Sequence, residues 1–327
     1  MLLELLKFVL CFFRSQLTDN EIDAVTLESK EALPNFGERM LLGYFLSKGL
    51  RIQRKRIRES IIRVDPDGLD ERRQLFSQRI QRRVYSVPHA HYMWHLDGNH
   101  KMIRWGFVIH VGIDGFSRRC VYMSCNTNNK SETVLKLFEK AIEMHHVFPC
   151  RIRTDYGTEN VLVWELMTNH SQNQSGPTVL LGSSVHNERV ERFNRDINRN
   201  IRDKYARIFY ELENDGFLNV ENAYDLIALH YVYLLRINNA LADLGNSHNN
   251  HCIRTENNHT PNQILAASGY ATPTIINVHD PREILDDRMS EEHIAYLTSH
   301  VPPETSDDSE GKIVYQAVRE YMHEYCA

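Results

Sequence analysis

The chain has 327 residues, of which 42% are hydrophobic and 25% are charged. These values exclude collagen-like, wholly disordered and disulfide-scaffold proteins, and the length allows one large domain or two to three small ones. Six cysteines without a CxxC pair argue against a disulfide framework or a zinc knuckle and favour a reducing compartment.

The net charge of −5 hides two segments of opposite sign. Residues 51–90 carry eleven Lys or Arg and five Asp or Glu, a net charge of +6. Residues 280–327 carry four Lys or Arg and twelve Asp or Glu, a net charge of −8. The basic segment suggests a polyanionic partner. On charge alone, two solvated surfaces without a partner are the simpler explanation.

An apolar segment, residues 1–17, precedes the first predicted helix. Glu4 and Lys7 interrupt it, no basic stretch precedes it and no small-residue cleavage site follows, so we do not interpret it as a signal peptide. Its apolar part is also too short to span a bilayer. We interpret it as a docking helix or a poorly placed start, and we expect no membrane partner.

Three short helices are predicted over residues 18–66. The first begins at a capping box formed by Thr18 and Glu21, and the second ends at Gly49. The third begins near Gln53 and exposes basic residues, which are Arg54, Lys55, Arg56 and Arg58. This pattern predicts a helix-turn-helix DNA-binding domain with its third helix in a DNA groove. A helical bundle with a basic surface explains the pattern about as well.

Residues 67–90 are predicted to be a basic linker, and a catalytic core is predicted over residues 91–270. The core contains strand-like runs, followed by alternating helices and strands and by a long helix from about His186. This order predicts an α/β domain with a mixed sheet flanked by helices and a helical C-terminal extension. Residues 271–327 are predicted to be an acidic, loosely ordered tail.

Three carboxylates stand out in the predicted core. Asp97 lies inside an apolar strand (WHLDGNH), Asp155 follows a second strand (RIRTDYG), and Glu191 lies at the edge of the apolar stripe of the long helix. Carboxylates brought together at strand ends and a helix edge need a divalent cation, and oxygen ligands favour Mg²⁺ or Mn²⁺. Two such ions can catalyse phosphodiester displacement. Taken singly, each acid is more simply a turn acid, a helix cap or a surface glutamate.

The acids have a known spacing, because 57 residues separate Asp97 from Asp155 and 35 separate Asp155 from Glu191. With the segments WHLDGNH, VGIDGFSRR, RTDYGTENV and SVHNERVERFNRD, this spacing resembles the integrase core of retroviruses, gypsy-type and Ginger-like elements and related DDE transposases. The segment NFGERMLLGYFLSKGLRIQRKRIRESI resembles the helix-turn-helix domain of bacterial insertion-sequence transposases.

The resemblance implies an RNase H-like α/β fold with a mixed five-stranded sheet, preceded by a small all-α domain. It implies that Asp97, Asp155 and Glu191 are catalytic and bind Mg²⁺ or Mn²⁺ for DNA strand cleavage by water and strand transfer by a 3′-hydroxyl. It also implies duplex ends and target DNA as partners, a homo-oligomer that holds two ends, and action in the nucleus. The retroviral N-terminal zinc module is missing, so metal would be catalytic only.

Side chains near Glu191 are candidates for DNA contacts. Asn187 and Arg195 lie four residues from Glu191 and share its side of the helix, and Arg192 is placed to bind a phosphate. A solvated helix face explains the same residues equally well.

Two other functions remain open on the sequence. A transposase-derived DNA-binding protein would keep the fold and the acids but no longer turn over, and an RNase H-like ribonuclease would use the same metal chemistry. The helix-turn-helix and the 35-residue spacing argue against the ribonuclease. We predict that Glu191→Gln abolishes strand transfer in an integrase and leaves a DNA-binding protein unaffected.

Overall fold

The computed structural model describes residues 15–66, 86–170, 176–182, 188–273, 289–305 and 309–325. The chain divides into two compact units. The first unit comprises Met1–Ser86 and Asp243–Thr272, and the second comprises Val87–Ala242 and Pro273–Ala327. Most of the expected linker (residues 67–90) and of the N-terminal apolar segment lies outside the described residues.

The first unit begins with the three expected helices, α1 (Asp19–Ala32), α2 (Glu38–Ser47) and α3 (Arg54–Val64). The predicted capping box is present, since the Thr18 hydroxyl accepts from the Glu21 backbone and the Glu21 carboxylate accepts from the Thr18 backbone. Gly49 follows α2 at φ +76°, a left-handed conformation that ends the helix. The three helices pack on one another.

The second unit is built on a five-stranded sheet with the order β3-β2-β1-β4-β5. The strands are β1 (Met93–Met102), β2 (Phe107–Asp114), β3 (Cys120–Asn126), β4 (Arg151–Thr154) and β5 (Val179–Leu181). β1, β2 and β3 pair antiparallel, whereas β4 pairs parallel with both β1 and β5. The expected α/β fold with a mixed five-stranded sheet is therefore confirmed.

Helices α4 (Ser131–His145) and α5 (Val161–His170) cover one face of the sheet. Their apolar side chains bury Trp94 and Leu96 of β1 and Ile152 of β4. Side chains alternate along a strand, so His95 and Asp97 of β1 point to the opposite face of the sheet.

A long helical run covers the face that carries Asp97. It consists of α6 (Glu188–Ile197), a π-helical segment (Asn198–Arg202) and α7 (Asp203–Asn214). α6 packs on β1 and β2, and its buried side chains Val190, Phe193 and Ile197 recur at helical spacing. The sheet is thus enclosed between two helical layers.

Helix α8 (Ala223–Asn250) follows, and its residues from Asp243 onward belong to the first unit together with α9 (Pro261–Ala267). Within the first unit, α2 packs so closely on the end of α8 that a Cβ at Gly43 would lie 2.3 Å from the Ser247 carbonyl oxygen. The first unit is therefore assembled from two separate parts of the chain. The core expected over residues 91–270 therefore includes residues of both units.

The expectation that residues 271–327 form a loosely ordered tail is wrong for the part that the structure describes. Two helices, α10 (Glu291–His300) and α11 (Lys312–Tyr325), occupy it. They bury apolar side chains in the second unit, which are Ile294, Leu297, Val314, Tyr315, Val318 and Met322. These apolar residues form a stripe along each helix, which the acidic composition of the segment made difficult to recognise, because the carboxylates lie on the exposed sides of the helices. None of the described helices has the length and apolar character needed to cross a membrane.

Candidate active site

The register of β1 and β4 places the two aspartates side by side. These parallel strands pair Met93 with Arg151 and His95 with Arg153. The same register, continued by two residues, sets Asp97 opposite Asp155, which is the first residue after β4. Both aspartates are partly exposed at this end of the sheet.

Glu191 approaches the same end of the sheet from α6. It is partly exposed beside the buried Val190, as expected for the edge of the apolar stripe. The carboxylates of Asp155 and Glu191 both act electrostatically on Asp97. The structure thus brings together the three acids that the sequence singled out.

Burial and like charge change the protonation of Asp97. Burial is the largest cause that raises the pKa of its carboxyl, the negative charge of Asp155 is the next, and Glu191 adds to it. Hydrogen bonds from the Gly98 backbone and the Asn194 side chain act in the other direction. The net result is a pKa of about 7, raised from 3.8.

An amide network fixes the position of the Asp97 carboxylate. The Asn194 side chain donates to Asp97 Oδ2 at 2.6 Å. Asn99 of β1 donates in turn to Asn194 Oδ1 at 3.3 Å and to Asn198 Oδ1 at 2.9 Å. The network joins the Asp97 strand to the Glu191 helix and orients one carboxylate oxygen.

Asn194 and Asn99 were not predicted as site residues from the sequence. Asn194 lies three residues after Glu191 and therefore on nearly the same side of the helix. Asn99 lies two residues after Asp97 and therefore on the same face of the strand. These two spacings in the sequence could have identified Asn194 and Asn99 as neighbours of the acids.

Asp155 is held by a tight turn. Its Oδ1 accepts from the Gly157 backbone at 3.2 Å and from the Asn160 amide at 3.4 Å. A Cβ at Gly157 would lie 2.3 Å from a carboxylate oxygen of Glu159, so the Glu159 side chain would have to shift to admit a larger residue. Tyr156 lies inside this turn with its side chain directed into solvent.

The donor set suits a hard divalent cation, although the acids do not converge on one point. The described residues contain no group of three or more His, Cys, Asp or Glu side chains that could hold a metal ion. Charge repulsion between carboxylates acts over several ångströms, whereas ligation of Mg²⁺ requires oxygen atoms about 2.1 Å from the ion. The repulsion that raises the pKa of Asp97 is nevertheless what a bound cation would relieve. The chemistry of the residues fits such an ion.

A sequence model of the integrase core domain matches residues 84–274, which is more than half of the chain. The chain belongs to the integrase core domain family. No curated protein matches it. The matched span contains the five strands, the three acids and the amide network. The suspected family is thereby confirmed for the core, and the family implies DNA binding.

The basic residues of α3 that were predicted to bind DNA precede the matched integrase core and pair with acids of the first unit. Arg54, Lys55 and Arg58 are exposed, and Arg56 is partly buried. Arg54 and Arg58 both pair with Glu38 of α2, and Arg56 pairs with Asp19 of α1. Lys55 lies 3.7 Å from Glu59, and its side chain is 82% exposed. Surface pairs of this kind contribute about 1 kcal/mol or less, so a phosphate could displace them. Their DNA-binding role stays a prediction.

Two of the three residues that were predicted to contact DNA beside Glu191 lie among the described residues, and their DNA-binding role stays a prediction. Arg192 and Arg195 are exposed on α6. Both act on Asp196, where burial raises the pKa of the carboxyl and the arginines oppose that rise. Asn187 lies outside the described residues.

Proposed function

We propose that this integrase core protein is a metal-dependent polynucleotidyl transferase that cuts DNA strands and joins a DNA 3′-hydroxyl to target DNA. The observation that carries the proposal is that Asp97, Asp155 and Glu191 lie at one end of the sheet, where the charges of Asp155 and Glu191 act on Asp97. In an integrase core, these three acidic side chains are the natural centre of the chemistry.

Asp97, Asp155 and Glu191 would hold Mg²⁺ or Mn²⁺, which when bound supplies Lewis-acid activation of the attacking oxygen and stabilisation of the leaving oxygen. The rest of the site keeps the carboxylates in place. Asn194 fixes one oxygen of Asp97, and the Gly157 backbone and Asn160 fix one oxygen of Asp155. These hydrogen bonds restrict the orientations that the two aspartates can adopt.

DNA would be bound by basic side chains of both units. Arg192 and Arg195 are exposed on the helix that carries Glu191 and would bind phosphates near the reacting bond. Lys55, with Arg54, Arg56 and Arg58, would contact duplex ends from α3. We also infer a homo-oligomer, since strand transfer joins two DNA ends, and a nuclear site of action.

Nicking of supercoiled plasmid tests the proposal without knowledge of the end sequence. Purified full-length protein is incubated with plasmid and Mn²⁺, beside Asp155→Asn and Glu191→Gln. We expect wild-type protein to nick the plasmid and each variant to lose at least about 100-fold in rate, as removal of an interaction worth several kcal/mol predicts. DNA binding is measured in the same samples and should be retained.

Glu165→Gln is the matched control, because Glu165 is an exposed glutamate on α5 away from the acids. It should nick at the wild-type rate. Binding without nicking in all four proteins would contradict the proposal and favour a DNA-binding protein that has lost turnover. Nicking that survives in Glu191→Gln would point to a contaminating nuclease or a different site.

A further inference from the structure

The basic residues of helices α10 and α11 form ion pairs with other helices of the second unit. Lys312 pairs with Glu211 of α7, and Arg319 lies 2.8 Å from the buried Asp225 of α8. These are the basic Lys and Arg side chains among the described residues of the two helices. Positive charge on this part of the second unit is therefore already neutralised.

A column of aromatic rings runs across the exposed side of the two helices. Tyr296 stacks on Tyr321 with a centroid distance of 4.8 Å and an interplanar angle of 11°, and it stacks on His300 at 4.1 Å. Tyr321 continues the column to Tyr325 at 4.9 Å. Tyr296 is 45% exposed and Tyr325 is 60% exposed. Stacked rings of this exposure are an unusual use of aromatic area on a monomer surface.

Carboxylates flank the column. Glu292 precedes Tyr296 by one helical turn, and Glu320 is adjacent to Tyr321 in sequence; both are exposed, and neither has an ion-pair partner in the described part of the chain. Glu324 lies beside Tyr325, where its hydrogen bond and its charge raise the pKa of the tyrosine hydroxyl. The aromatic column therefore lies in a negative field.

We propose that this aromatic–acidic column, formed by Tyr296, His300, Tyr321 and Tyr325 with Glu292, Glu320 and Glu324, binds an arginine-rich polypeptide segment of a partner protein. The two faces of Tyr296 are covered by His300 and Tyr321, so an arginine reaches the column at its exposed end. There a planar guanidinium can stack on Tyr325 and bond the neighbouring Glu324 carboxylate at the same time. Lysine offers only a point charge. DNA is disfavoured as the occupant, since its phosphates would meet the three carboxylates.

Peptide titration of the full-length protein tests the proposal. Fluorescein-labelled nona-arginine and nona-lysine are titrated by fluorescence anisotropy at one ionic strength, with protein freed of nucleic acid. We expect nona-arginine to bind at least fivefold more tightly than nona-lysine. Glu292→Gln/Glu320→Gln/Glu324→Gln should weaken nona-arginine binding about tenfold. Tyr296→Leu/Tyr325→Leu should remove the preference for arginine while circular dichroism stays unchanged.

The matched control removes the same charge elsewhere. Glu132, Glu139 and Glu143 are exposed on α4, and their triple change to Gln should alter binding less than twofold. An equal loss in this control would overturn the proposal, because binding would then depend on net charge alone. Wild-type affinities equal for the two peptides, or a leucine variant with full arginine preference, would overturn it as well.

Discussion

At the scale of single residues, the site depends on amides as much as on acids. A carboxylate that is to bind a cation must be held in one orientation, and Asn194 does this for Asp97 from the helix that carries Glu191. One hydrogen bond therefore joins the strand that carries Asp97 to the helix that carries Glu191. Removing such an orienting partner costs roughly 10–100-fold in metal affinity or activity in metal sites generally.

We predict that Asn194→Ala lowers the nicking rate by about 10–100-fold and weakens Mn²⁺ binding, with little change in DNA affinity. The reason is that Asp97 Oδ2 loses its 2.6 Å hydrogen bond while its charge remains. Plasmid nicking over a range of Mn²⁺ concentrations measures both quantities. Asn200→Ala is the control, because Asn200 lies in the same helical run and bonds to the Asp196 backbone rather than to an acid of the site. Equal losses in both variants would contradict the assigned role.

At the scale of helices and strands, the periodicity of apolar residues predicted those features that depend on local sequence. Ile57 and Ile61 recur at helical spacing and are buried in α3, and the capping box at Thr18 begins α1 as expected. The acids were found because a carboxylate inside an apolar strand or at the edge of an apolar stripe violates the local pattern. Asn194 was not predicted because an asparagine on a polar helix face agrees with the local pattern of polar and apolar residues.

Contacts between distant parts of the chain left no such local signal. Gly43 lies in the middle of α2, where glycine weakens a helix. A larger residue is disfavoured there because of the Ser247 carbonyl, which lies some 200 positions later in the sequence. Likewise, the amphipathic stripe of α11 was masked by its acidic residues. Composition averages over all sides of a helix, whereas burial depends on one side.

We predict that Gly43→Ala destabilises the first unit by about 1–2 kcal/mol. Helix propensity alone predicts the opposite sign, since Ala in a helix is about 0.5–1 kcal/mol more favourable than Gly. The added Cβ would meet the Ser247 carbonyl oxygen at 2.3 Å and the His251 nitrogen at 3.1 Å, and neither backbone atom can turn away as a side chain could. Hydrogen exchange in α2 and α3 measures the change. Gly49→Ala is unsuitable as a control because of its positive φ, whereas Gly37→Ala meets nothing within 4 Å and should show no steric loss.

At the scale of the whole molecule, the two units can be followed separately. The three tryptophans, Trp94, Trp105 and Trp164, all belong to the second unit. Tryptophan fluorescence therefore reports unfolding of the integrase core, while helical circular dichroism reports both units. Trp94 is the most informative of the three, because it is fully buried and donates to His91 Nδ1 at 3.0 Å.

A buried pair of histidines next to Trp94 makes the stability of the second unit depend on pH. Burial is the main cause that lowers the pKa of His91 to about 4 and that of His145 to about 3, and the buried Arg119 charge adds to both effects. The adjacent Asp114 is shifted in the opposite sense, since burial raises the pKa of its carboxyl. The unfolded chain would protonate its histidines near pH 6.5, before the folded chain does.

We therefore predict that the stability contributed by each histidine is complete above about pH 6.5 and is lost as the pH falls toward 4, at up to about 1.4 kcal/mol per pH unit for each histidine. Urea unfolding of the second unit, followed by tryptophan fluorescence between pH 7 and pH 4.5, measures this slope. His145→Asn should reduce it by up to one such increment, because one titrating group is removed while Asp114 and the other acids stay the same. His146→Asn is the matched control, since His146 is the exposed neighbour of His145 in a left-handed conformation that Asn tolerates. If both variants keep the wild-type slope, the histidines are protonated in the folded state and the pH dependence comes from carboxylates alone.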